Sequence, residues 1–173
     1  MLVKLIGSLL ILISGSSLGW LIGFHYLKRI KELKELQVAI NIFDTEISYG
    51  RTLLPEALEV VSESTHGSIS NIYMQLATGL KKDRDKRFRD IFKEILSRYE
   101  EEVSLTPADI KILIEWSQQI GVTSLEGQRK ANKMAIKRLE QVEKRAQDLA
   151  DKRVKLSRYA GVLLSLLVII ALY

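Results

Sequence analysis

Two stretches without a charged residue constrain this chain more than anything else in it. Residues 5–27 ("LIGSLLILISGSSLGWLIGFHYL") and 159–173 ("YAGVLLSLLVIIALY") contain no Lys, Arg, Asp or Glu. As an α-helix rising about 1.5 Å per residue, the first matches a hydrocarbon core of about 30 Å. A cleaved signal peptide fits less well, because no small-residue cleavage site follows the run. The second is shorter, at about 22 Å, and spans when 154–158 contribute or the bilayer thins. A span is expected for it rather than a core helix.

The flanks set an orientation. Lys28, Arg29, Lys31 and Lys34 follow the first run, and Lys152, Arg153, Lys155 and Arg158 precede the second, whereas Lys4 is the one base outside. Positive charge stays cytoplasmic. The expected organisation is a multi-pass cell-membrane protein: transmembrane segment 1–27, cytoplasmic helical domain 28–158 and transmembrane segment 159–173.

The middle segment holds all 21 acids and all but one of the 26 basic residues, which leaves it mildly positive. That balance is not the footprint of a nucleic-acid binder. The densest basic run, "KKDRDKRFR" at 81–89, is interrupted by Asp83 and Asp85 and reads as a solvated face. With no cysteine there are no disulfides and no thiolate metal sites.

The period of the middle segment is helical almost throughout. Ile30, Leu33, Leu36, Ile40, Phe43 and Ile47 recur every three or four residues and predict a first helix to about Tyr49. A second starts with Pro55 in its first turn and turns Leu58 and Val61 inward. It is broken by "THGSIS". A third carries Ile69, Ile72, Tyr73 and Leu76, with Gly79 near its end, and a fourth carries Phe88, Ile91, Ile95 and Tyr99.

"LTPADIKILIEWSQQIG" is punctuated as a complete helix: Thr106 caps, Pro107 opens, Asp109 sits at the positive end and Gly121 terminates. Its inner face is Ile110, Leu113, Ile114 and Ile120, with Trp116 at the edge. After Ser124 there is no proline, and one helix of about 45–50 residues is expected. Ala131, Ala135, Leu139, Val142, Ala146, Leu149 and Leu156 mark one side of it. This alanine-rich stripe favours intramolecular packing, while a coiled coil that makes a homo-oligomer stays open. The fold class is thus all-α: a membrane-tethered bundle of about six helices with transmembrane helices at both ends.

Between the first two helices lies "EISYGRTLLPEAL" at 46–58. Gly50 fits a left-handed C-terminal position and Pro55 a helix start, so the stretch is a link. Glu46 and Tyr49, three apart, are expected to share a face there. With Gly50 and Arg51 they form the candidate interaction site. No nucleophile, base or metal ligand accompanies them in a catalytic pattern.

Here a resemblance becomes specific. "DTEISYGRTLLPEAL" resembles the corresponding segment of the stage III sporulation protein AB family and, more distantly, the F-type platform proteins of type II secretion and type IV pilus systems. The opening "MLVKLIGSLL", the tether "YLKRIKELKELQVAI", the late "SQQIGVTSLEGQRKANKMAIKRLE" and the terminal apolar run are similar to that family in order and spacing. Relatives often have Thr-Pro-Leu shortly after Tyr-Gly, whereas here Thr52 precedes Leu53 and Leu54.

The resemblance implies a non-enzymatic component of the secretion-like channel that links mother cell and forespore, on the mother-cell side of the outer forespore membrane. The implied partners are a secretion-type hexameric ATPase and membrane proteins of the channel, with no cofactor. In the first apolar run Gly15, Gly19 and Gly23 lie four apart and allow close helix packing, against the second span or another protein. His25 and His66 are too few and too separated for a metal site, and no phosphate-binding GxxxxGK[ST] loop is present. Two further classes stay open: a tethered adaptor that oligomerises without an ATPase, and a membrane enzyme with Glu46 and Tyr49 in its site.

Overall fold

Helix follows helix, with no strand among the described residues. The computed structural model describes the backbone of residues 2–50, 52–83 and 85–172, and the side chains of 23–50, 52–83, 85–152 and 170. Helix α1 covers Leu2–Thr45 and passes into a π-helical turn over Glu46–Gly50; α2 covers Leu54–Ser64, α3 Gly67–Lys82, α4 Phe88–Arg98, α5 Pro107–Ser117 and α6 Leu125–Leu172. The six-helix all-α class is as expected, and so is the long last helix, of 48 residues.

The chain divides into two compact units, one of Lys31–Lys144 and one of Met1–Ile30 with Arg145–Tyr173. In the second unit small residues are buried, namely Gly23, Ala146 and Ala150, while Phe24 and Leu27 are each more than half exposed. Among the described residues no helix is long and apolar enough to cross a membrane. Gly15 and Gly19, and Leu156 on the expected stripe of α6, lie outside the residues whose side chains are described.

The core of the first unit is built on the stripe of α1. Leu33, Leu36, Ile40 and Phe43 are each at most 2% exposed, and each such burial contributes about 2 kcal/mol. Helix α2 packs on α3, α3 on α4 and α4 on α5. They bury Leu58 and Val61, then Ile69, Ile72, Tyr73 and Leu76, then Phe88, Ile91, Phe92 and Ile95. Trp116 lies in this core and not at its edge. Its indole makes edge-to-face contacts with Phe43, Phe88 and Phe92 at centroid distances of 5.7, 5.9 and 5.8 Å, the geometry that the ring quadrupole favours. Ile110 and Ile114, expected inside, are only half-buried.

Helix α1 also satisfies loop backbone. Glu32 accepts from Ser104 N–H at 2.7 Å and Glu35 from His66 N–H at 3.3 Å, so two interhelical segments are tied to one spine. The α5 start is as the sequence reads: Thr106 Oγ1 accepts from Asp109 N–H while Asp109 accepts from Thr106 N–H at 2.8 Å, a complete capping box. Gly121 has φ of 76° in the turn that follows α5.

Other local expectations shift. The break between α2 and α3 is only residues 65–66, because Gly67 opens α3 with a positive φ. Gly79 lies near the end of α3 as expected, its carbonyl accepting from Asp83 N–H at 2.9 Å, and because a side chain there would lie 2.9 Å from Ile91 Cγ2 it also marks close packing of α3 on α4. Leu149 is 45% exposed and Ala150 takes the buried position.

Candidate functional site

The sequence-predicted link forms one end of the larger unit, beside the start of α6. The first helix does not stop at residue 45; it widens into the π-helical turn Glu46–Gly50. Such turns bond i to i+5, are rare, and occur frequently at functional sites.

Glu46 closes the turn. Its carbonyl accepts from Thr52 N–H at 3.3 Å and its carboxylate accepts from Thr52 Oγ1–H at 2.9 Å. This clasp explains Gly50. The residue is not in the left-handed conformation expected for it, since the positive-φ glycines are Gly67 and Gly121. A methyl group at Gly50 would lie 2.7 Å from Thr52 Oγ1 and 3.1 Å from Glu46 Oε2. Glycine is needed here for close approach of side chains, not for backbone handedness.

Tyr49 is 74% exposed, yet it is held. The Arg129 guanidinium of α6 stands over its ring at 5.5 Å from the centroid and donates to its hydroxyl from Nη2 at 3.3 Å. The cation–π geometry contributes about 0.5–1 kcal/mol at an exposed site. Glu46 and Tyr49 therefore have separate tasks, one closing the turn and the other presenting a ring. Arg51 lies outside the described residues. Leu53, next to the clasp, is 67% exposed, and Leu125, one turn before Arg129 on α6, is 48% exposed. The end thus offers an anchored aromatic and exposed apolar groups that no element covers among the described residues.

Beside it runs a polar chain that starts in the core and ends at half-buried Asp44. Trp116 Nε1–H donates to Asn132 Oδ1 at 2.7 Å, and Asn132 Nδ2–H donates to Asp44 Oδ1 at 2.8 Å. Asn132 is 1% exposed. Helices α5, α6 and α1 are fixed to one another at this level, and the Tyr49–Arg129 contact inherits their register. Nothing in the sequence marks Arg129 or Asn132 as part of this site, or Thr52 as the partner of Glu46. Arg129 and Asn132 do lie inside the family-like segment "SQQIGVTSLEGQRKANKMAIKRLE", but nothing local marks their partners.

Among the described residues no three His, Asp or Glu side chains gather to hold a metal ion.

A family model for stage III sporulation protein AB matches residues 4–173. The chain belongs to the stage III sporulation protein AB family. Within it, the chain is 24% identical over 171 residues to "Stage III sporulation protein AB" of Bacillus subtilis (strain 168), covering 99% of each chain. Among solved structures it is similar to "Stage III sporulation protein AB (SpoIIIAB)" with a TM-score of 0.67 at 22% identity, over 72% of this chain and 97% of that one. At that identity the second match speaks for the fold. The family's role in sporulation is therefore this chain's role at the coarse level, and the relatives carry the names of sporulation proteins, not enzymes.

Proposed function

We propose that this chain is a non-enzymatic membrane platform of a secretion-like sporulation channel between mother cell and forespore. In it the helical unit couples a cytoplasmic hexameric ATPase to membrane proteins of the channel. The observation that carries the docking part is Tyr49, an exposed aromatic immobilised by Arg129 on a rare backbone turn. Rigid aromatic anchors lose little conformational freedom on binding and are enriched among the residues that dominate interface energies. Membership of the family supports the sporulation context, and the charge-free runs 5–27 and 159–173 support tethering at both ends. Exposed Phe24 and Leu27 at the close of the first run are consistent with contact to lipid. The cations beside each run support a cytoplasmic middle segment, on the mother-cell side of the outer forespore membrane.

Capture of the tagged full-length protein from sporulating cells after mild crosslinking tests this. The ATPase and channel proteins are expected together, with the ATPase reduced in Tyr49→Ala and in Glu46→Ala. Recovery of channel proteins without the ATPase would replace the platform by a passive adaptor.

A further inference from the structure

Helix α6 carries Arg129, Lys130, Lys133, Lys137 and Arg138 between Glu126 and Glu140, with no acid among them. Two of the five are engaged: Arg129 with Tyr49, and Arg138 in an ion pair with Glu115 of α5. The side chains of Lys130, Lys133 and Lys137 are exposed and have no ion-pair partner among the described residues. Spacings of three and four put them on one face, over about 10 Å of helix.

Beside this stripe α5 and α6 leave a groove of about 380 Å³, open to solvent along one side. Ile112, Trp116, Ala131 and Met134 give it a mostly apolar lining, and Lys130 stands at its edge. Met134 is 51% exposed, and a flexible thioether adapts to varied apolar partners. The one acid in the lining, Glu115, is already neutralised by Arg138.

A small anion would leave the apolar floor unused. A flat lipid surface meets convex apolar faces, not a concave one. An open groove between two helices suits the apolar face of a third helix. Lys130 lines it, and Lys133 and Lys137 lie on the adjoining face of α6, around a second concavity that Lys130 and Met134 share, so acids on the flank of that helix would meet them. A second copy of this chain does not supply it. The acid-rich helix here is α2, with Glu56, Glu59 and Glu63, but its apolar face is committed to the core through Ala57, Leu58 and Val61.

We propose that the α5–α6 groove receives an acidic amphipathic helix of another protein. Its apolar stripe lies on Met134 and the floor, and its acids, spaced three and four apart, face Lys130, Lys133 and Lys137. This site is separate from Tyr49 and does not depend on which apparatus the chain serves.

The test is titration of full-length protein in neutral detergent with two labelled amphipathic peptides. They share one leucine stripe and carry either Glu or Lys on the flank. The acidic peptide is expected to bind and the basic one not. The triple variant Lys130→Glu, Lys133→Glu, Lys137→Glu should lose at least about tenfold in affinity for the acidic peptide and gain binding of the basic one. Circular dichroism checks helicity; should the charge reversals lower it, the triple alanine variant is used, with the same loss expected. Equal affinity for both peptides, or an unchanged Kd in the triple variant, would overturn the proposal. So would lysine-dependent binding to phosphatidylglycerol vesicles, or lysine-dependent dimerisation of the chain, without binding of the acidic peptide.

Discussion

Asn132 and Asp44 are 88 positions apart and share a 2.8 Å hydrogen bond, with Trp116 donating to the same asparagine from the other side. One amide thereby uses a donor and an acceptor to fix three helices beside the exposed Tyr49. The arrangement makes the end of the larger unit rigid, which a docking surface requires.

Truncation of that amide is expected to be costly. Asn132→Ala leaves a buried indole N–H and the Asp44 carboxylate without their partner. The buried indole N–H left unsatisfied costs about 1–3 kcal/mol, whereas the half-buried Asp44 carboxylate can turn to water, so a loss of about 1–3 kcal/mol is expected in urea denaturation of the full chain in neutral detergent. Trp116→Phe keeps the Asn132–Asp44 bond and much of the ring packing, and should cost less. A loss under about 0.5 kcal/mol in Asn132→Ala, the range of ordinary surface changes, would mean that the chain of bonds does not fix the helices.

The clasp around Gly50 has its own signature. Gly50→Ala should destabilise by about 1 kcal/mol, because the new methyl meets Thr52 Oγ1 at 2.7 Å. Thr52→Ala removes the hydroxyl, so Gly50→Ala should cost much less in that background. A double-mutant cycle measures this coupling. Strictly additive losses would show that crowding against Thr52 is not the reason for glycine.

Tyr73 provides a pH test. It is fully buried, and its hydroxyl has no hydrogen-bond partner among the described residues. Burial pushes its pKa well above the ordinary value near 10. Above pH 10 the unfolded chain releases this proton while the folded chain keeps it, so stability falls as pH rises, by up to about 1.4 kcal/mol per pH unit. Tyr73→Phe should lack that part of the slope and be neutral or stabilising at pH 7, since it removes an unpartnered buried hydroxyl. Denaturation curves of both proteins between pH 7 and 11 give the difference; parallel profiles would contradict it.

These residues also show what was legible in the sequence. Leu33, Leu36, Ile40 and Phe43 declare their helix by period alone, and Thr106, Pro107 and Asp109 declare a helix start by local chemistry. The uninterrupted helix after Ser124 follows from the absence of breakers. The link between the first two helices was legible in place but not in construction. A π-helical turn of five residues is too short to carry a period of its own. α-Helical spacing puts Glu46 and Tyr49 on one face, and the wider turn does not keep that spacing. Trp116 and Asn132 occupy the core because they satisfy each other, and a polar residue gives no local sign of a partner 16 positions away. Arg129 reaches Tyr49 across 80 positions, a relationship only the tertiary fold creates.

The most direct measurement is photo-crosslinking in sporulating cells, with a photoreactive phenylalanine analogue placed at Tyr49 and, as comparison, at Met74 on α3. Docking through the anchored tyrosine predicts a crosslink to the secretion-type ATPase from position 49 and none from position 74. ATPase crosslinks from position 74 but not from 49, or none from either while channel proteins are still captured, would contradict a platform that meets its ATPase through this turn.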